Sequence, residues 1–519
     1  APFSISITMA SSAIRSAFRT YRRLYATTKL PQSLALERKG NSELEDPDLS
    51  RKDTLVRRLL ALVYTRRSAV EGITKWMEEG HKVQKHQLGR IIRDLRKNKR
   101  FEHALEICEW KKEQKELRLY PGDYAVHMDL VAKVRGLQCA EKFFEDLPEQ
   151  MKGRETHTTL LHVYSQNKMV DKAESLMKKM SDLGILTNTL PFNHMLVLYS
   201  SIGRNDKLPE VIRELKKHAS PDLITYNLIL SAFSTTADIK GAKKVFVEMR
   251  KRQIDPDWIT YATMANIYIK NNLITEASST LNLMETSATR KDRAAYSSLI
   301  TQYTTIGDPE GVKRIFKEMK SNYRKLNNSE YSCMISSLIK LKAYEEAEII
   351  YEEWETVTGK LDPKIPNLML GSYVSRGEIE KGEKFHKGVM EKGVRSNYHT
   401  WELRTWGSVR RGKVREALEC VEKAIGCVKK WEFDEKLVDG VAAKIEELGD
   451  IEGAESLVGL VGKAGHKSTK MYNFLLRTYE KGERMPLIML ERMKIDNVDL
   501  DHETRSLITS TSRFCVSDP

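Results

Sequence analysis

Pro221 to Phe233 reads PDLITYNLILSAF, and thirty-five residues on Pro256 to Tyr268 reads PDWITYATMANIY. The phrase returns around Tyr296 as RAAYSSLITQY and around Tyr331 as SEYSCMISSL, again at steps of 35. Upstream, Phe192 fills the slot in LPFNHMLVLYS and His157 fills it in ETHTTLLHVYS; downstream, Pro366 and Trp401 continue the register. A second phrase follows each first one: DKAESLMKKM from Asp171, KGAKKVFVEMR from Lys240, EGVKRIFKEMK from Glu310 and EEAEIIYEEW from Glu345. EHALEICEW from Glu102 and REALECVEKA from Arg415 are more divergent copies. In both phrases apolar residues recur three and four apart, as in Tyr226, Ile229, Leu230 and Phe233, which is the period of an amphipathic helix.

Each repeat is therefore a helix, a short turn and a second helix. Two helices of this length bury too little apolar surface to stand alone, and stacking the pairs supplies a continuous core. The reading is an all-α, right-handed superhelical solenoid of about 12–13 helix-turn-helix repeats, with a concave face. Repeats start near residues 50, 85, 120, 154, 189, 223, 258, 293, 328, 363, 398, 435 and 469. Residues 50–153 are divergent N-terminal repeats, 154–432 the clear array, 433–507 degenerate C-terminal repeats and 508–519 a frayed tail.

At 519 residues the chain exceeds what one compact core holds, in keeping with a repeat array. A hydrophobic fraction of 40% with 30% charged residues argues against disorder. The net charge of +14 favours a polyanionic partner, because each neutralised phosphate releases a counterion. Six scattered cysteines contain no CxxC pair, which speaks against a zinc site, and no apolar run approaches the ~20 residues of a membrane span.

The first acidic residue is Glu37. Before it, Arg15, Arg19, Arg22 and Arg23 alternate with Ile14, Phe18, Tyr21 and Leu24, the pattern of a mitochondrial targeting peptide over residues 1–26. Met9 is the expected start, which makes residues 1–8 a translated leader; residues 27–49 read as a linker. A chloroplast address is the alternative, since transit peptides of both organelles share this composition.

The stretch Ser220-Pro221-Asp222-Leu223-Ile224-Thr225-Tyr226-Asn227 resembles the repeat junction of the pentatricopeptide repeat family, plant organellar RNA-binding proteins, and the resemblance covers about residues 85–480. The tetratricopeptide repeat is the nearest rival, but no repeat here carries its Trp-x-x-Leu-Gly-x-x-Tyr helix. The array resembles the plain class, without an editing or nuclease tail. It is also similar to members that are mitochondrial ribosome subunits.

The resemblance implies that one base is read per repeat by the fifth and last residues, with the second packing on the ring. On this chain the pairs are Thr158 with Asn188 for adenine, and Asn193 with Asp222 and Asn227 with Asp257 for uracil. Ser297 with Asn327 implies adenine, Ser332 with Asp362 guanine, and Asn367 with Asn397 a pyrimidine. Ala262 with Asp292 departs from the pattern, because alanine has no polar atom to read with. Leu190, Ile224 and Ile259 suit the packing position, whereas Glu155, Ser329 and Lys364 do not. The implied target is A-U-U-any-A-G-pyrimidine. Asp222, Asp257 and Asp362 also stand where a helix N-cap is expected, and Asn188, Asn327 and Asn397 suit that role too. Both roles are open on sequence alone.

Beyond Trp401 the pattern decays, with Glu402 at a reading position; Trp401 and Trp406 stack either on bases or in the core. Lys85, His86, Arg90, Arg93, Arg96, Lys97, Lys99 and Arg100 form a basic cluster suited to phosphates or to water. No P-loop, GxGxxG, or His-x-Glu with a downstream CxxC is present, so no enzyme, cofactor, metal or small-molecule substrate is expected. The expected function is RNA binding, to single-stranded transcript or rRNA, in support of mitochondrial translation. The alternatives are a stable subunit of the mitochondrial ribosome, with ribosomal proteins as partners, and a protein scaffold.

Overall fold

A computed structural model describes residues 54–60, 68–114, 116–288, 292–358, 362–428 and 430–515. The targeting segment, leader and linker read over 1–49 lie outside the described residues, as do 516–519. Among the described residues there are 27 α-helices and three short 3-10 turns. The described residues divide into two compact modules, one up to Gln302 and one from Tyr303.

In the first module the first helices of successive repeats stack on one another: Pro121–Arg135, Arg154–Gln166, Leu190–Ile202, Leu223–Thr236 and Trp258–Lys270. Their partners, such as Val170–Asp182 and Ile239–Lys251, form the other layer. The second module repeats the plan through Asn328–Lys340, Lys364–Arg376, Tyr398–Arg410, Glu435–Leu448 and Thr469–Lys481. Each module is thus an α-helical solenoid built of helix pairs.

The helices start where side chains cap them. Asp222, Asp257, Asn327 and Asn397 each accept the backbone N–H three residues on, worth about 1 kcal/mol apiece. Second helices open with Asp238-x-x-Gly241 and Asp308-x-x-Gly311, whose carboxylates cap the glycine N–H at 3.0 and 2.9 Å. A Cβ on Gly241 would stand 2.6 Å from the Phe233 ring, so glycine lets the second helix close onto the first.

Two of the recurring tyrosines are struts. Tyr226 Oη donates to Glu248 Oε1 at 3.3 Å and Tyr331 Oη to Glu353 Oε1 at 3.1 Å, each across one helix pair. Burial, with the facing glutamate, pushes both phenols up to about 12. Each ring fills the core while its hydroxyl is satisfied.

Between second helices, lysines pair with glutamates of a neighbouring repeat: Lys172 with Glu141 at 2.6 Å and Lys216 with Glu248 at 2.7 Å in the first module, Lys381 with Glu348 and Lys392 with Glu355 in the second. These exposed pairs are worth at most about 1 kcal/mol each.

The tail read over 508–519 is corrected as far as Cys515. Helix His502–Thr511 runs through it, capped by Asp501 and anchored by buried Leu507 and Thr511, and a 3-10 turn follows over Ser512–Cys515. Among the described residues no helix is long and apolar enough to cross a membrane.

Candidate nucleic-acid interface

The fifth position of a repeat lies one turn into its first helix, and there Asn227 is buried with 7% exposure. Its Nδ2 donates to Asp257 Oδ1 at 3.1 Å. Its Oδ1 accepts from Thr260 Oγ1 at 2.7 Å. Asp257 caps the next helix by accepting the Thr260 N–H at 2.9 Å, while its own N–H reaches Thr260 Oγ1 at 3.2 Å. A carboxylate only accepts, so the edge of Asn227 facing Asp257 must be its NH2, which fixes the orientation of the amide. One N–H and one carbonyl lone pair remain on it.

Asn367 repeats the arrangement in the second module. Its Nδ2 donates to Asn397 Oδ1 at 3.1 Å, and its Oδ1 accepts from Thr400 Oγ1 at 2.9 Å. Asn397 caps its helix through the Thr400 N–H at 3.0 Å. The cap role and the partner role of the last residue are thus one arrangement: the oxygen that caps the helix also holds the preceding repeat's amide.

Asn193 is built differently. It is 1% exposed and its Oδ1 has no partner, while Asp222 spends Oδ1 on the Thr225 N–H and hydroxyl, at 2.8 and 2.7 Å. A buried carbonyl left open costs about 1–3 kcal/mol, a cost that Asn227 does not bear.

Other predicted residues are held by different contacts. Thr158 donates its hydroxyl to Arg154 O at 2.7 Å, within its own helix, and Asn188 accepts the Leu190 N–H at 3.2 Å. Ser297 lies in the first module and Asn327 in the second, where Asn327 shares a capping box with Glu330. Ser332 is half-buried, and Asp362 accepts the Lys364 N–H at 3.0 Å. Leu190, Ile224 and Ile259 are half-buried beside the fifth position, whereas Ser329 and Lys364 are exposed. Ala262 is buried with its carbonyl accepting from Gln302 Nε2.

Sequence reasoning missed one network. Asn473, 3% exposed, donates to Asp501 at 3.1 Å and accepts from Thr504 Oγ1 at 2.6 Å, so the pattern does not end at Trp401. Its second N–H, however, meets Glu503 Oε2 at 3.2 Å, so the donor that stays open on Asn227 is occupied here. The signal that finds all three networks is a threonine three residues after the cap: Asp257-x-x-Thr260, Asn397-x-x-Thr400 and Asp501-x-x-Thr504.

Two further expectations resolve in the packing. Trp401 meets His386 edge-on at 5.3 Å under Lys423, and Trp406 lies against Gly440, where a Cβ would clash at 2.3 Å. Burial, with Arg404 and Lys423 nearby, lowers His386 to about 4, so it is neutral at physiological pH. In the basic cluster, Lys85 is held by Asp123 at 3.0 Å and Arg96 by Asp129 at 2.6 Å, so these two cations are committed inside the protein. Among the described residues no group of three or more His, Cys, Asp and Glu is placed to hold a metal.

This chain is 49% identical over 467 residues to a mitochondrial pentatricopeptide repeat-containing protein of Arabidopsis thaliana, covering 90% of this chain and 88% of that one. The chain belongs to the pentatricopeptide repeat family. A second mitochondrial relative from Arabidopsis thaliana is 31% identical over 468 residues, covering 89% and 95% of the two chains. The PPR repeat model matches residues 155–185, 259–287, 294–323 and 331–356. The PPR repeat family model matches 221–270, and the pentatricopeptide repeat domain model matches 175–236. Among solved structures, the pentatricopeptide repeat protein PPR10 from maize is similar at 18% identity and a TM-score of 0.47, covering 92% of this chain and 71% of that chain.

Proposed function

We propose that this protein binds single-stranded RNA along the layer of first helices, in support of mitochondrial gene expression. The observation that carries the reading is the pair of fixed amides at Asn227 and Asn367. Each is locked by a cap residue and a threonine, and each keeps one donor and one acceptor open. An open N–H beside an open lone pair complements the imide edge of uracil, whose carbonyl accepts and whose N3–H donates. Asn193 offers an acceptor in the same position one repeat earlier. A fixed amide loses no rotamer entropy when a base arrives, which favours discrimination.

The mitochondrial address rests on the acid-free, arginine-rich residues 1–26 and on the naming of both Arabidopsis relatives as mitochondrial. The array boundaries read at 154–432 belong to the same proposal. Binding of the purified protein to oligonucleotides carrying A-U-U-any-A-G-pyrimidine, against a scrambled RNA, tests it. Preference for the former supports the reading, and equal or absent binding overturns it.

Ala262 and Glu402 at reading positions favour a second reading, a stable subunit of the mitochondrial ribosome, in which base discrimination matters less. Gradient sedimentation of mitochondrial extract separates the two. Stoichiometric travel with one ribosomal subunit after EDTA favours the ribosomal role, and light, RNase-sensitive fractions favour a transcript-binding factor.

A further inference from the structure

Residues 85–100 hold seven Lys and Arg against one Asp, the densest positive stretch of the described first module. Helix Lys85–Lys97 buries Leu88, Ile91, Ile92 and Leu95 and turns His86, Arg90, Arg93 and Lys97 outward. Those four stand at steps of four, three and four, so they line one stripe about 16 Å long. Among the described residues no carboxylate lies within ion-pair distance of Arg90 or Arg93, and Lys97 has only Asp94 at 3.9 Å. Lys172 and Lys216 of the second-helix layer, by contrast, have glutamates of the neighbouring repeat.

The ground beneath the stripe is positive as well. Asp129 is held by both Arg96 and Lys133 at 2.6 Å, and Asp123 by both Lys111 at 2.7 Å and Lys85 at 3.0 Å. Each carboxylate thus faces two cations, which leaves a net positive charge at both sites. At the fifth position, where other repeats place a reading amide, this repeat has Gly89, with open space where a Cβ would be. Beside it a small cavity is lined by Gly89, Arg93, Arg96, Lys111, Tyr124 and His127.

We propose that the stripe His86-Arg90-Arg93-Lys97 is a phosphate rail: it holds the sugar-phosphate backbone of the bound single strand without reading a base. The proposal rests on the RNA-binding reading above. The repeat lacks a polar fifth residue, so it has nothing with which to discriminate, and it has the unpaired guanidinium groups that bind phosphate oxygens in bidentate fashion. It therefore divides the work: Asn193 and Asn227 supply preference, and the rail supplies sequence-independent affinity.

The test is the salt dependence of binding of the full chain to its preferred RNA and to a scrambled RNA, for the wild type and for Arg90→Gln/Arg93→Gln/Lys97→Gln. Each lost phosphate contact lowers the slope of log affinity against log salt by about 0.7 for a single strand. The triple variant is expected to lose about two units of slope, roughly a hundredfold at 0.1 M salt, equally for both RNAs, with an unchanged melting temperature. An unchanged slope in a folded variant overturns the rail while the RNA-binding reading stands. A loss confined to the preferred RNA also overturns it, because the stripe would then be reading sequence. Failure of the wild type to bind either RNA removes both proposals, and the rail surface would then suit an acidic protein instead. Arg93→Lys alone, keeping charge but losing the bidentate fork, is expected to keep the slope.

Discussion

The repeats that begin at Lys85 and at Leu223 share one plan of two helices and differ in what they hold at the same places. The later one places Asn227 at its fifth position and closes it with Asp257 and Thr260. The earlier one places Gly89 there and surrounds it with arginine and lysine. The packing layer is common to both, so the fold tolerates either content. What changes is whether the first helix offers directed hydrogen bonds, which distinguish bases, or unpaired positive charge, which does not.

The largest effect that would sharpen this contrast concerns the buried charges under the earlier repeat. Burial alone would raise the Asp129 carboxyl, but Lys133 and Arg96, with His162 behind them, outweigh it and hold the group below the ordinary carboxylate range. Asp129→Asn leaves Arg96 partly buried without its countercharge and is expected to cost about 3–5 kcal/mol in thermal or denaturant unfolding. The sign with pH follows: a depressed carboxyl contributes its full stability at neutral pH and loses it as pH falls below the ordinary range near ~4. The wild type should therefore destabilise in acid more steeply than Asp129→Asn; equal slopes would break the account of the pair.

Next is the network of the later repeat. Thr260→Val removes the hydroxyl that bridges Asn227 and Asp257, leaving the Asn227 carbonyl without its donor, and is expected to cost about 1–3 kcal/mol of stability. It should also relax discrimination at that base, because the amide is freed to turn. Asn227→Ala is expected to lose preference at one nucleotide, by about 1–3 kcal/mol, with weaker loss on scrambled RNA. The smallest change in stability is expected from Arg90→Gln, within about 0.5 kcal/mol, since among the described residues none pairs with that guanidinium. A stability loss above that in a melting experiment would mean that the stripe serves the fold.

Much of this was legible in the sequence. The 35-residue return of Tyr226, Tyr261, Tyr296 and Tyr331 sets the helix pairs, and the small polar residues at 193, 227 and 367 are where the structure places buried amides. Thr260 and Thr400 escaped notice because a threonine near a helix start reads singly as a cap. Their second role appears only when the preceding helix brings an asparagine 33 residues away within reach. Asn473 escaped because its cap, Asp501, follows after 28 residues rather than the 30 that separate Asn227 from Asp257. The pairing of Lys85 and Arg96 was equally hidden, since their acids arrive from the next repeat.

The central claim is that the fixed asparagine amides read bases, and selection from a random RNA pool by the purified wild type and by Asn227→Ala tests it most directly. The account predicts that the wild type enriches an A-U-U-any-A-G-pyrimidine pattern and that Asn227→Ala loses the uracil at one position while keeping the rest. Enrichment of the same pattern by both proteins, or of none by the wild type, would contradict it.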